Sequence, residues 1–182
     1  MKFFEQDLKG VYIIEPEPYS DDRGMLRRHF CIDEFRNYSL MTDIKQCNVS
    51  ENIQRYTLRG FHCQSKPYGE NKLISCIHGE IYDIVLDLRR DSGTYLQWQS
   101  FELSKENRRS LYVPVGCANA YLTLQENTWI LYYHSQVYTP SSEQGIRYND
   151  PAFKFEWPAK PMVISEKDLN YSDFDRKIYG ID

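Results

Sequence analysis

Four polar side chains in this sequence are of the types that move a proton beside a carbonyl group. His62 can act as a general base near neutral pH. Lys72 can hold a developing oxyanion. Tyr132, in the run Trp129-Ile130-Leu131-Tyr132-Tyr133, can act as an acid from an opposite wall. Asp168 can orient an imidazole. Arg23 and Arg59 suit phosphate groups. A base, an acid and a cation together fit proton abstraction next to a ketone. Taken singly, each residue also has an ordinary explanation. His62 would be a hydrogen-bonded core histidine, Lys72 a surface strand residue and Tyr132 a core aromatic. Asp83 and Asp168 would be turn or cap residues, and Arg23 a turn charge. Spacing alone does not choose between the two explanations.

The elements that must carry these residues read mostly as strands. The stretch Leu58-Arg59-Gly60-Phe61-His62-Cys63-Gln64 follows Tyr56 and Thr57, which favour extended backbone. Residues three apart on a regular strand face opposite sides. A bulge at Gly60 would turn Arg59 and His62 into one cavity. Val11–Glu15, Met25–Phe30, Ile44–Ser50, Tyr95–Leu103, Ser110–Val113, Ala118–Leu124 and Thr128–Val137 read as further strands. Lys72–Ile77 and Glu80–Leu88 flank His78-Gly79 and predict a hairpin. Ile32–Tyr38 is the best helix, and the tail from Ser141 reads as irregular with a short helix at its end. About ten short strands with little helix predict an antiparallel sandwich or barrel. No repeat or linker divides the chain, so one domain over 1–182 is expected.

Bulk properties narrow the function. Net charge is −4, which does not suggest a nucleic-acid partner. No apolar run approaches a membrane span, so no membrane partner is expected. Met1–Asp7 meets acidic residues too early for a signal peptide. Five scattered cysteines with no CxxC pair point to a reduced, cytoplasmic protein. A small barrel that holds a metal would show an HxH pair and a late histidine after a Pro-x-Gly turn. Here no HxH exists, and the turn reads Pro114-Val115-Gly116-Cys117-Ala118-Asn119. A neutral amide is a poor ligand for zinc or iron. No metal and no other cofactor is expected.

Several motifs taken together resemble the dTDP-4-dehydrorhamnose 3,5-epimerase family. They are Asp22-Arg23-Gly24, the Leu58–Gln64 stretch, Lys72-Leu73, Gly79-Glu80-Ile81-Tyr82-Asp83, Val113-Pro114-Val115-Gly116, Tyr138-Thr139-Pro140, Glu143, Gly145–Pro151, Trp157-Pro158 and Ser165-Glu166-Lys167-Asp168. The resemblance implies an all-β antiparallel cupin jelly-roll barrel with short peripheral helices. It also implies a homodimer that exchanges N-terminal strands. The activity implied is cofactor-independent epimerisation of a nucleoside-diphosphate 4-keto sugar. By matching position, His62 would be the base paired with Asp168, Tyr132 the acid, and Lys72 the holder of the enolate. Arg23, Arg28, Gln46, Asn48, Arg59, Asp83, Asn119, Tyr138, Glu143 and Lys167 would belong to the substrate site.

The sequence departs from the family pattern at three of these places. Arg28 stands where the family has a glutamate that contacts thymine, Asn119 where it has a histidine, and Cys47 inside its Gln-Asp-Asn. An arginine fork can meet the O6/N7 edge of guanine. Contact with a base and a solvent-facing charge are both open for Arg28. These departures are similar to the branch acting on GDP-4-keto-heptoses in bacterial capsule synthesis. The expectation is therefore inversion at C3, and in some members also C5, of a GDP-4-keto-heptose. The rivals are a dTDP-4-keto-6-deoxyglucose 3,5-epimerase, a 3,4-ketoisomerase and a non-catalytic sugar-binding cupin.

Overall fold

The computed structural model describes residues 1–176, so the last six residues of the expected 1–182 domain lie outside the described part. In chain order the strands are β1 (Lys2–Glu5), β2 (Tyr12–Glu15), β3 (Tyr19–Asp21), β4 (Gly24–Leu26), β5 (Gln46–Asn52), β6 (Leu58–Gln64) and β7 (Lys72–His78). They continue as β8 (Glu80–Asp87), β9 (Trp98–Ser104), β10 (Ser110–Val113), β11 (Cys117–Thr123), β12 (Thr128–His134) and β13 (Glu143–Gly145). Among the described residues there are two short α-helices, α1 (Ile32–Arg36) between β4 and β5, and α2 (Glu166–Leu169) near the end. A six-stranded sheet runs β1-β2-β10-β7-β12-β5, and a five-stranded sheet runs β13-β6-β11-β8-β9. All named strand pairs are antiparallel. This is the antiparallel all-β architecture that the strand pattern predicts, in the jelly-roll form that the family resemblance implies.

The core is where the inner faces of the two sheets meet. Ile74 of β7 and Ile130 of β12 pack with Val85 of β8, Leu103 of β9 and Tyr121 of β11. Burying each such aliphatic side chain contributes roughly 1.5–3 kcal/mol. Strand alternation then places Leu73 on the outer face of the six-stranded sheet, under Phe35 of α1. Outward Phe61, Ala118 and Ala120 are covered by Phe153, Phe155 and Trp157 of the C-terminal segment.

The predicted hairpin across His78-Gly79 is not formed. β7 pairs with β10 and β12, while β8 pairs with β11 and β9 in the other sheet. The His78-Gly79 link is a corner between sheets. Gly79 has φ +77°, and a Cβ there would run into the Thr128 side chain. Met25–Phe30 is not a long strand either. It supplies the end of a short β3–β4 hairpin whose six strand residues are all exposed.

Candidate active site

The bulge expected at Gly60 is present and does what the spacing requires. On β11, Asn119 lies opposite His62 and Tyr121 opposite Arg59, with the register shifting between them. β6 thus carries one extra residue, and Arg59 and His62 both line the same cavity. Gly60 has φ +116°, and a Cβ would lie 2.6 Å from Ala120 Cα, so glycine is required there.

The cavity has a volume of about 680 Å³ and opens at one end of the sandwich core. Its polar lining follows from strand parity. Ile130, Tyr132 and His134 share the inward face of β12, and Lys72 shares that of β7 with Ile74. His62 comes from the five-stranded sheet and Tyr132 from the six-stranded sheet, so they stand on opposite walls.

Asp168 reaches His62 because the C-terminal segment is tied along β6. The Leu58 N–H donates to the Val163 carbonyl at 2.8 Å, and Ser165 Oγ caps α2 by accepting from the Asp168 N–H at 3.1 Å. Asp168 Oδ1 then lies 2.7 Å from His62 Nε2. A carboxylate accepts, so Nε2 carries the proton and Nδ1 keeps its lone pair, as a base needs. Burial opposes the charge on Asp168. The hydrogen bond and charge of His62, with the backbone N–H of Gly60, nevertheless hold its pKa below the ordinary carboxylate value.

Lys72 is buried, and its ammonium donates to the His62 carbonyl at 2.9 Å and to Asn119 Oδ1 at 3.1 Å. Glu70 Oε1 stands 3.6 Å away. Tyr132 is half-buried; burial and the neighbouring Tyr121 hydroxyl push its pKa well above the ordinary value. It is therefore a neutral acid that can give a proton only to a strong base such as an enolate. Glu143 bonds Lys167 and the Tyr138 hydroxyl, both at 2.6 Å, at the cavity mouth.

The structure gathers most, but not all, of the expected site residues. His62, Tyr132, Asp168, Lys72, Asn48, Arg59, Asn119, Tyr138, Glu143 and Lys167 line the cavity. Gln46 does not; its side chain accepts from the Tyr138 backbone N–H at 3.0 Å and braces the rim. Asp83 lies wholly buried behind Asn119, whose amide donates to it at 3.1 Å. It supports the site from behind and does not face the cavity. Arg23, on the exposed β3–β4 turn, pairs with its own neighbour Asp21 at 2.6 Å. Arg28 is 63 % exposed and pairs with Glu34 of α1 at 2.6 Å. Neither arginine lines this chain's own cavity.

Sequence reasoning missed Ser50, Glu70, Tyr121 and His134 as lining residues. Parity held a signal for two of them. His134 lies two residues after Tyr132 on one strand, and Tyr121 two after Asn119 on another. Cys63 also lines the cavity, but burial pushes its thiol up to about 11, so it is inert near neutrality. Among the described residues, no group of three or more His, Cys, Asp or Glu side chains is arranged to hold a metal ion.

The chain matches the model of the family described as dTDP-4-dehydrorhamnose 3,5-epimerase over residues 5–176. It is 38% identical over 174 residues to the enzyme of that name from Methanothermobacter thermautotrophicus, covering 93% of this chain and 92% of the relative. Its fold is similar to the crystal structure of the Bacillus anthracis dTDP-4-dehydrorhamnose 3,5-epimerase with TDP and PPi bound. That likeness has a TM-score of 0.92 and 32% identity, and covers 95% of this chain and 99% of the other. It is also similar to the Legionella pneumophila dTDP-6-deoxy-D-glucose-3,5-epimerase in complex with dTDP-4-keto-L-rhamnose, with a TM-score of 0.91 and 31% identity, over 99% and 97% of the two chains. With a histidine–aspartate pair and a tyrosine on opposite walls of one cavity, and a family match along nearly its whole length, the chain belongs to the dTDP-4-dehydrorhamnose 3,5-epimerase family.

Proposed function

We propose that this epimerase inverts C3, and C5 in turn, of a dTDP-linked 4-keto-6-deoxyhexose. The observation that carries this reading is the His62–Asp168 pair on one wall facing Tyr132 on the other, with Lys72 between the two sheets. The ketone acidifies the neighbouring C–H. His62 takes that proton through Nδ1, and Asp168 stabilises the imidazolium. The Lys72 ammonium holds the enolate oxygen. Tyr132 delivers a proton to the opposite face, and the centre is inverted. A 3,4-ketoisomerase would need no acid on that opposite wall, and a binding-only cupin would need neither group.

The thymidine nucleotide is supported by the names of the relatives and by the ligands in the two similar crystal structures. The guanine reading rested on Arg28, which is engaged by Glu34 away from the cavity. The exchanged dimer is part of the same proposal. The β3–β4 hairpin exposes Tyr19, Met25 and Leu26, and a partner's cavity mouth would cover them. It would also bring Arg23 to the diphosphate. Incubation with dTDP- and GDP-linked 4-keto sugars in deuterium oxide, read by NMR, tests the reaction and the nucleotide together. Deuterium wash-in only with the GDP sugar would reject the nucleotide assignment. No wash-in with either would reject the reaction.

A further inference from the structure

The cavity holds a second histidine–carboxylate pair that the reaction above does not use. His134 Nδ1 lies 2.8 Å from Glu70 Oε2, and both side chains are about nine-tenths buried. The His134 ring also stacks on Tyr132, with centroids 5.6 Å apart and planes 18° apart. Across the β12–β7 pairing, His134 sits opposite Lys72. One buried carboxylate therefore stands between the stacked partner of the acid and the ammonium that meets the enolate.

The distances around Lys72 show what that carboxylate does. An ammonium has three N–H donors. Two are used, by the His62 carbonyl at 2.9 Å and by Asn119 at 3.1 Å. Glu70 Oε1 stands 3.6 Å from the same ammonium, beyond hydrogen-bond length. The third N–H thus remains available to a substrate oxygen. A carboxylate and an ammonium this close in a buried site attract strongly, and contact would fill that donor. His134 holds the other carboxylate oxygen and so keeps the gap open. Burial works against the Glu70 charge, but His134 and Lys72 keep its pKa below the ordinary value, consistent with an ionised carboxylate.

We propose that His134 is a positioning residue: by anchoring Glu70, it keeps the third Lys72 N–H free for the enolate oxygen. Held in this way, the Glu70 carboxylate does not quench the Lys72 ammonium. The proposal rests on the epimerase reading of the cavity.

Three variants test it. His134→Phe keeps the ring stacked on Tyr132 and removes the N–H. The Glu70–Lys72 separation in its crystal structure should close to hydrogen-bond length. Deuterium wash-in should fall on the order of 10²-fold, in kcat and not in KM. Glu70→Gln added to His134→Phe should recover much of the loss, because a neutral amide does not quench an ammonium. His134→Asn places an amide N–H near the position of Nδ1 and should also recover much of it. A purely structural role would not be relieved by a second substitution at Glu70. The proposal is overturned if the double variant is as slow as His134→Phe, if the Asn variant is as slow as the Phe variant, or if the gap stays open in His134→Phe. Should His134→Phe not fold, the Asn variant decides alone, and loss of the 3.6 Å gap or of wash-in there overturns the proposal. Wild-type protein without wash-in would defeat the epimerase reading instead, while the crystallographic distance would still judge the Glu70 anchor.

Discussion

Asp168 Oδ1 lies 2.7 Å from His62 Nε2, although 106 positions separate the two residues in the chain. The pair closes only when the C-terminal segment docks along β6, so the proposed base is completed by the last described helix. The depressed pKa of Asp168 has a pH consequence. Stability from this carboxylate is present above the ordinary carboxylate range and is lost as pH falls through its folded pKa.

His62→Asn should abolish deuterium wash-in at every exchangeable carbon while nucleotide affinity is kept. General acid–base groups are worth roughly 10²–10⁴-fold, and the loss should be of that size or larger. Asp168→Ala should cost less, because Asp168 orients the ring without taking the substrate's proton. Rate measurements by NMR on the two variants decide it; equal losses would make Asp168 a direct participant.

Tyr132→Phe should uncouple exchange from inversion. His62 can still remove a proton and return one from its own side, which gives wash-in with retained configuration. Product stereochemistry compared with deuterium content reads this directly. Inversion at the wild-type rate would reduce Tyr132 to a wall of the core.

Asp83 predicts an unusual pH dependence of stability. Burial raises its pKa from the ordinary 3.8 to about 8, against the opposing effects of the Asn119 amide and Lys72. Between those values the unfolded chain releases a proton that the folded chain keeps. The contribution is fully present below the unfolded pKa and is lost as pH rises through about 8. Asp83→Asn should remove that loss and stabilise the protein by roughly 2–4 kcal/mol at neutral to mildly alkaline pH, with little gain near pH 4. Urea unfolding at several pH values measures the difference. No gain at pH 8 would mean that Asp83 is ionised and its charge stabilises buried Lys72.

Much of this site was legible as chemistry but not as assembly. His62, Lys72, Tyr132 and Asp168 stood out by residue type, yet their convergence needed the family resemblance. Contacts such as His62–Asp168 depend on sheet order, which local pattern does not carry. The β7–β8 misreading shows the same limit. His78-Gly79 between apolar runs looks like a tight hairpin, but its positive φ serves a corner between sheets. By contrast, the Gly60 bulge was readable, because Arg59 and His62 could share one cavity only with an extra residue between them. The Glu70–His134 pair escaped because a glutamate in a loop and a strand histidine each have common surface explanations.

Arg23 provides the sharpest test of the proposed dimer. In its own chain it lies at the tip of an exposed hairpin and pairs with Asp21. Exposed pairs of this kind contribute little to stability, so Arg23→Ala should leave folding unchanged. If the hairpin crosses to a partner, Arg23→Ala should still lower activity by weakening diphosphate binding, chiefly through KM. His62→Asn is inactive for a separate reason in its own cavity. When the two variants are unfolded together and refolded, a mixed dimer has one cavity with wild-type His62 and a wild-type Arg23 from the other chain. Its second cavity carries both defects. With random pairing, half the dimers are mixed and half their cavities are intact, so activity should return to roughly a quarter of wild type. If Arg23 serves its own chain, no mixed dimer has an intact cavity, and the mixture recovers nothing beyond the residual activity of Arg23→Ala.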